Sequence, residues 1–165
     1  MKDRTVALKA GDNWSTPKKL YDYLDQIYHF DFDPCPLFIG EMTPEHDGLL
    51  KEWGKSNFVN PPYSLKLKTN FVMKGLEESK KDKRCVFLIP SVTGSILFHE
   101  QILPNASEII LVKGRIPFVG ENTFGEIVTT KCGMHDSMIV VFDVCHKTAC
   151  KWSTIVIKEI LAEEG

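Results

Sequence analysis

Four consecutive residues, Asn60-Pro61-Pro62-Tyr63, carry groups that could do chemistry together. The Asn60 amide oxygen is a hydrogen-bond acceptor. The Pro61 carbonyl is a second acceptor, its direction constrained by the ring. Two acceptors converging on one point can hold both hydrogens of an exocyclic NH2 group. Tyr63 offers a flat face on which a ring can stack. The set describes a clamp for a planar amine. The plainer alternative is a structural turn, because Asn and Pro both favour turns.

The flanking elements must position such a clamp. Phe58-Val59 reads as the end of a buried strand, and after Ser64 a charged, periodic run predicts a helix from Leu67 to Lys80. Neither proline can sit inside a ladder or a helix interior, so the chain turns stiffly with Asn60 at a strand tip. In open α/β sheets, ligand sites lie at the carboxyl ends of strands.

Composition sets the frame. The chain has 165 residues, 43% hydrophobic and 25% charged, enough for one domain with a real core. No apolar run reaches the ~18 residues that span a bilayer. The polar start Met1-Lys2-Asp3-Arg4 has no signal-like segment, so a cytoplasmic rather than a secreted protein is expected. Five cysteines without a paired framework read as free thiols. A net charge of −2 argues against a general basic coat for nucleic acid, though not against a local basic face. Lys66, Lys68, Lys74, Lys80, Lys81, Lys83 and Arg84 cluster after the clamp; such a run is commonly a solvated helix face. Cys132, His135, Cys145, His146 and Cys150 lie close together, but their spacing matches no standard zinc site, and no metal is expected.

Along the chain, residues 1–13 read as a flexible arm and 14–165 as a single domain. Trp14-Ser15-Thr16-Pro17 opens a helix, with Ser15 or Thr16 as cap, Pro17 in the first turn and Trp14 as a hydrophobic staple. That helix extends to about residue 29. Phe30-Asp31-Phe32-Asp33 alternates like a short strand that Pro34-Cys35-Pro36 stops. Residues 37–57 are irregular. Cys85 to Pro90 is a strand buried on both faces. A short helix follows and ends at Pro104. Glu108 to Val112 is a strand, 119–136 a long loop, Ser137 to Asp143 the last clear strand, and Trp152 to Ala162 a terminal helix.

Several segments then converge: Trp14-Ser15-Thr16-Pro17, Phe32-Asp33-Pro34-Cys35, Thr43-Pro44-Glu45-His46-Asp47-Gly48-Leu49 leading to Trp53, and Phe58 to Ser64. In this order and spacing they resemble the phage-type, Dam-like DNA N6-adenine methyltransferases, over about residues 14–143. The resemblance implies a compact α/β, Rossmann-like, S-adenosylmethionine-dependent sheet with helices on both faces. It implies methyl transfer to N6 of an adenine flipped out of DNA. Asn60, Pro61, Pro62 and Tyr63 would then be the catalytic set. Trp14, Thr16, Pro17, Asp33, Pro34, Cys35 and Asp47 would bind the cofactor, with Asp33 and the Thr16-Pro17 segment at its methionine end. The turn Pro34-Cys35-Pro36 departs from the glycine-rich turn of many methyltransferases; S-adenosylmethionine has no phosphate that needs a glycine cradle. Ser64, Lys66, Lys113 and Arg115 are expected to contact DNA. Protection of phage DNA from host restriction follows from the family's usual setting.

The clamp itself grips any planar NH2. An RNA base, cytosine N4 or a protein glutamine therefore stays open as acceptor, as does an idle nucleic-acid-binding relative.

Overall fold

The computed structural model describes residues 14–36, 43–121, 127–129 and 135–162. In chain order its elements are β1 (Trp14–Ser15), α1 (Lys18–Tyr28), β2 (Ser56–Val59), α2 (Leu65–Ser79) and β3 (Arg84–Pro90). A π-helical turn (Phe98–Ile102) runs into α3 (Leu103–Asn105), followed by β4 (Glu108–Lys113), β5 (Val119–Glu121) and β6 (Ile127–Thr129). The chain continues through β7 (Ser137–Phe142), a 3-10 turn (Val144–His146), β8 (Lys151–Val156) and α4 (Ile157–Ala162).

The apolar runs at β3 and β7 become neighbours in the middle of a five-stranded sheet of order β2-β3-β7-β4-β8. Pairing is parallel for β2 with β3 and for β4 with β8, while β7 is antiparallel to both β3 and β4. It follows that β2, β3, β4 and β8 point the same way, and their carboxyl ends share one edge. β1, β5 and β6 form a separate small antiparallel sheet, with Trp14 opposite Gly120 and Ser15 opposite Val119.

Side chains of the central strands alternate between two cores, as the period of a strand requires. Phe87, Ile89, Val140 and Phe142 face one way, under Phe71, Val72 and Leu76 of α2 and Trp53. Val86, Leu88, Ile139 and Val141 face the other, under Leu20 and Leu24 of α1 and Ile157 and Ile160 of α4. Helices thus cover both faces of a mixed α/β sheet. α2 lies so close to β3 that a Cβ on Gly75 would stand 2.5 Å from the Phe87 ring. None of the described helices is long and apolar enough to cross a membrane.

Several expectations are corrected. Trp14 and Ser15 are a strand, not a helix entry; α1 starts one residue after Pro17, which is its N-cap, with no side-chain cap. Thr16 precedes a proline and is therefore pushed out of the helical region. The Phe30–Asp33 strand reduces to one parallel bridge between Phe32 and Asn57. The helical run that opens at Phe98 passes through Pro104 and ends at Asn105, one residue beyond the expected stop. The long loop holds the β5–β6 pair; the rest of it, 122–126 and 130–134, lies outside the described residues, as do 1–13 and Cys132. The predicted terminal helix begins as β8: Trp152, Thr154, Ile155 and Val156 are aromatic or β-branched and extend along β4, and only Ile157–Ala162 is helical. β7 is therefore not the last strand.

Candidate active site

β2 is buried at all four positions and delivers Asn60 to the carboxyl edge of the sheet. Pro61 and Pro62 are buried behind it, and Ser64 is the N-cap of α2, its side chain making no capping bond. The Asn60 amide is held on both sides. Its Nδ2 donates to the Trp14 carbonyl at 2.8 Å, and its Oδ1 accepts the Tyr63 hydroxyl at 3.1 Å. Burial pushes the Tyr63 hydroxyl well above the usual phenol range, so it stays a donor. The Tyr63 ring meets Phe118 nearly edge-on, with centroids 6.0 Å apart. The acceptor proposed for an amine is thus already engaged by a neighbouring hydroxyl. An incoming NH2 group must share Oδ1 with Tyr63 or displace it.

A second group lies beside β2. The parallel bridge from Phe32 to Asn57 runs the chain alongside β2 toward the same edge, and Asp33 follows at once. Burial raises the Asp33 carboxyl to about 6, although the Cys35 N–H, donating to Asp33 Oδ1 at 2.8 Å, works against the rise. Burial pushes the Cys35 thiol well up, and the Asp33 and Asp47 charges add to it. Asp47 Oδ1 accepts the Leu49 N–H at 2.9 Å and so shapes its own turn. The next residue must be glycine, because a Cβ on Gly48 would lie 2.0 Å from the Pro34 carbonyl oxygen. The buried Trp53 then ties the turn down, Nε1 donating to the Gly48 carbonyl at 2.8 Å. The spacing from Asp47 to Trp53 thereby acquires a physical meaning: it braces the Asp33–Cys35 turn. Asp31, the other acid of that alternation, is structural. Its two oxygens accept the Ser56 and Lys55 N–H groups.

Thr16 stands between β1 and α1, and its Oγ1 is buried with no hydrogen-bond partner. A buried hydroxyl without a partner is costly. It is the kind of group that a ligand satisfies.

Lys113 ends β4 and Arg115 follows it, on the same edge of the sheet as Asn60. β3 and β7 intervene between β2 and β4, so these two stand apart from Ser64 and Lys66. Both are exposed, and Arg115 Nε lies 3.5 Å from Asp136 Oδ1. The rest of the basic cluster is partly structural. Lys74, Lys81 and Lys83 surround the buried Glu78, and Arg84 pairs with Asp143. In the Cys-His cluster, His146 lies against Asp143 and Cys145 faces the Ser79 carbonyl; among the described residues no group of three could hold a metal ion.

Sequence reasoning missed Phe118. The available signal was an aromatic after Pro117 in a segment leaving β4 at the clamp's edge. It also missed that Asn60 is held by the Trp14 carbonyl, distant in the chain, and by the hydroxyl of nearby Tyr63.

The fold and this edge are compatible with a methyltransferase, and residues 4–165 match the family described as DNA N-6-adenine-methyltransferase (Dam), to which the chain belongs. Its similarity to individual members is clear. It is 30% identical over 141 residues to the DNA N-6-adenine-methyltransferase of Haemophilus phage HP1 (strain HP1c1), covering 80% of this chain and 79% of that one. It is 32% identical over 113 residues to the DNA N-6-adenine-methyltransferase of Escherichia phage T1, covering 62% of this chain and 45% of that protein. No solved structure matches.

Proposed function

We propose that this chain, as a phage or prophage protein acting in the host cytoplasm, transfers a methyl group from S-adenosylmethionine to N6 of adenine in DNA. The observation that carries the proposal is the Asn60 amide, oriented by the Trp14 carbonyl at the end of a buried strand. The sheet is then a pared-down, Rossmann-like methyltransferase core within a single domain spanning 14–165.

The residues present fit the cofactor. Thr16 offers an unpartnered buried hydroxyl, and Asp33 a carboxyl whose ionisation burial opposes and a cation would favour. Thr16, Pro17 and Asp33 would hold the methionine end and Asp47 the ribose or the adenine side, with Trp14, Pro34 and Cys35 also lining the site. The cofactor, when bound, supplies a methyl group on a sulfonium, an excellent leaving group.

The chain's own residues do the rest. An aromatic amine is a poor nucleophile because its lone pair is delocalised into the ring. Asn60 Oδ1 and the Pro61 carbonyl accept its two hydrogens and favour a more pyramidal nitrogen, which localises the lone pair. Tyr63 stacks on the flipped base in place of its lost neighbours. Pro62 keeps the turn stiff, so alignment is set before the base arrives. The released proton passes to solvent. Ser64, Lys66, Lys113 and Arg115 contact DNA phosphates or bases from the same edge.

The test uses purified protein, tritiated S-adenosylmethionine and unmethylated DNA digested to nucleosides. Label in the N6-methyl nucleoside of adenine is expected. Label in cytosine, RNA or protein glutamine would change the acceptor, and cofactor binding without any transfer would overturn the enzyme.

A further inference from the structure

Both arms of the clamp are held by one element outside the five-stranded sheet. Asn60 reaches the Trp14 carbonyl, and Trp14 lies opposite Gly120 in the β1–β5 pair. Tyr63 packs edge-on against Phe118, the residue just before β5. Phe118 is only 6% exposed and belongs to the core under α1 and α4, so it is itself well anchored.

The amide of Asn60 is nearly symmetric in shape and opposite in chemistry at its two ends. Turned over, it would present donors to an amine that needs acceptors. The Trp14 carbonyl can only accept, so it selects the rotamer that leaves Oδ1 toward Tyr63. The Tyr63 hydroxyl on Oδ1 reinforces the same choice, provided the ring stays seated.

We propose that Phe118, with the β1–β5 pair, is a positioning device for methyl transfer. It seats the Tyr63 ring and thereby keeps the Asn60 acceptor assembled before the base enters. Phe118 does not touch the reacting atoms; it acts through Tyr63. The inference rests on the methyltransferase reading of this edge. Misplacing a catalytic group by about 1 Å can cost on the order of a hundredfold in rate.

The experiment compares Phe118→Leu, which keeps apolar bulk but loses the ring edge, with Phe118→Tyr, which keeps the ring. The measurements are kcat, KM for DNA, cofactor affinity, thermal midpoint and the NMR signals of the Asn60 side-chain amide, identified by their loss in Asn60→Ala. Phe118→Leu is expected to lower kcat about tenfold, with cofactor affinity unchanged and the Asn60 amide signals shifted. Phe118→Tyr should restore kcat. In a Tyr63→Ala background Phe118→Leu should add little, since the ring it seats is gone. Full kcat in Phe118→Leu, additive losses in the double variant, or a parallel fall of cofactor affinity would overturn the proposal. If the unmodified chain transfers no methyl group, the functional reading fails, and unshifted amide signals in Phe118→Leu would separately sink the positioning role.

Discussion

The two ends of the same sheet are built on opposite rules. At the amino edge, charges close on one another. Glu78, 1% exposed, meets Lys74, Lys81 and Lys83 at 3.1, 3.0 and 2.7 Å. Asp143 takes Arg84 at 3.0 Å and His146 at 2.7 Å, and Glu108 takes Tyr28 at 3.0 Å and Lys151 at 3.4 Å. The carboxyl edge instead keeps a buried hydroxyl without a partner at Thr16 and a carboxyl raised by burial at Asp33. It also places two prolines where the chain must turn. Two features blur the contrast: the buried Asn57 Oδ1, near the start of β2, also has no partner, and Arg115 pairs with Asp136 at the carboxyl edge. The difference teaches where each end's free energy goes. A closed network stabilises the fold, and an open one stores unmet polar capacity for a ligand.

Substitutions at the two ends should therefore separate activity from stability. Asn60→Ala should cut methyl transfer by about a hundredfold to ten-thousandfold with cofactor affinity nearly intact, read by tritium transfer and calorimetry. Equal activity would remove Asn60 from the chemistry. At the other end, burial alone would raise the Glu78 carboxyl, yet hydrogen bonds from Lys83, Lys81 and Lys74 hold it at about 2. Its stabilisation is complete above the unfolded carboxylate range and is lost as pH falls toward 2. Glu78→Ala should cost about 3 kcal/mol in denaturant titration at neutral pH while activity per folded molecule is unchanged. A loss of specific activity there would mean that the two ends are coupled.

Asp33 has the opposite sign. Its folded value of about 6 lies above that of the unfolded chain, so the acid form favours folding and stability declines as pH rises through about 6. A cationic ligand reverses the preference. Cofactor affinity should therefore rise by about tenfold per pH unit at most as Asp33 ionises, and Asp33→Asn should flatten that profile. A profile unchanged by the substitution would take Asp33 out of the cofactor site. The smallest effect is expected for Tyr63→Phe, which keeps the stacking face and loses one hydrogen bond, about a fivefold loss of turnover. Tyr63→Ala should be far more damaging; equal losses would assign the role to the hydroxyl rather than the ring.

Much of this edge was legible along the chain because its signals are local. A double proline after a buried strand has few conformations, and a continuous apolar run has few places to go. Asp47, Gly48 and Trp53 act within one short segment, so their spacing carried information even before the Pro34 contact explained it. The misread elements depend on distant partners. Trp14–Ser15 is a strand because β5 lies beside it, and Lys151–Val156 is a strand because β4 does. Residues of β8 fit a helical spacing as well as an extended one, and only pairing decides between them.

The sequence by itself determined the stiff Asn60–Tyr63 turn after a buried strand, the two-core alternation of the central strands and the family. Each is written in residue types and short spacings. Tertiary structure decided which way the Asn60 amide points, that Tyr63 already occupies its oxygen, and that Phe118 backs the ring. The Trp14 and Phe118 contacts join segments far apart in the chain, and even the local Tyr63–Asn60 bond exists only once folding has fixed both of its ends.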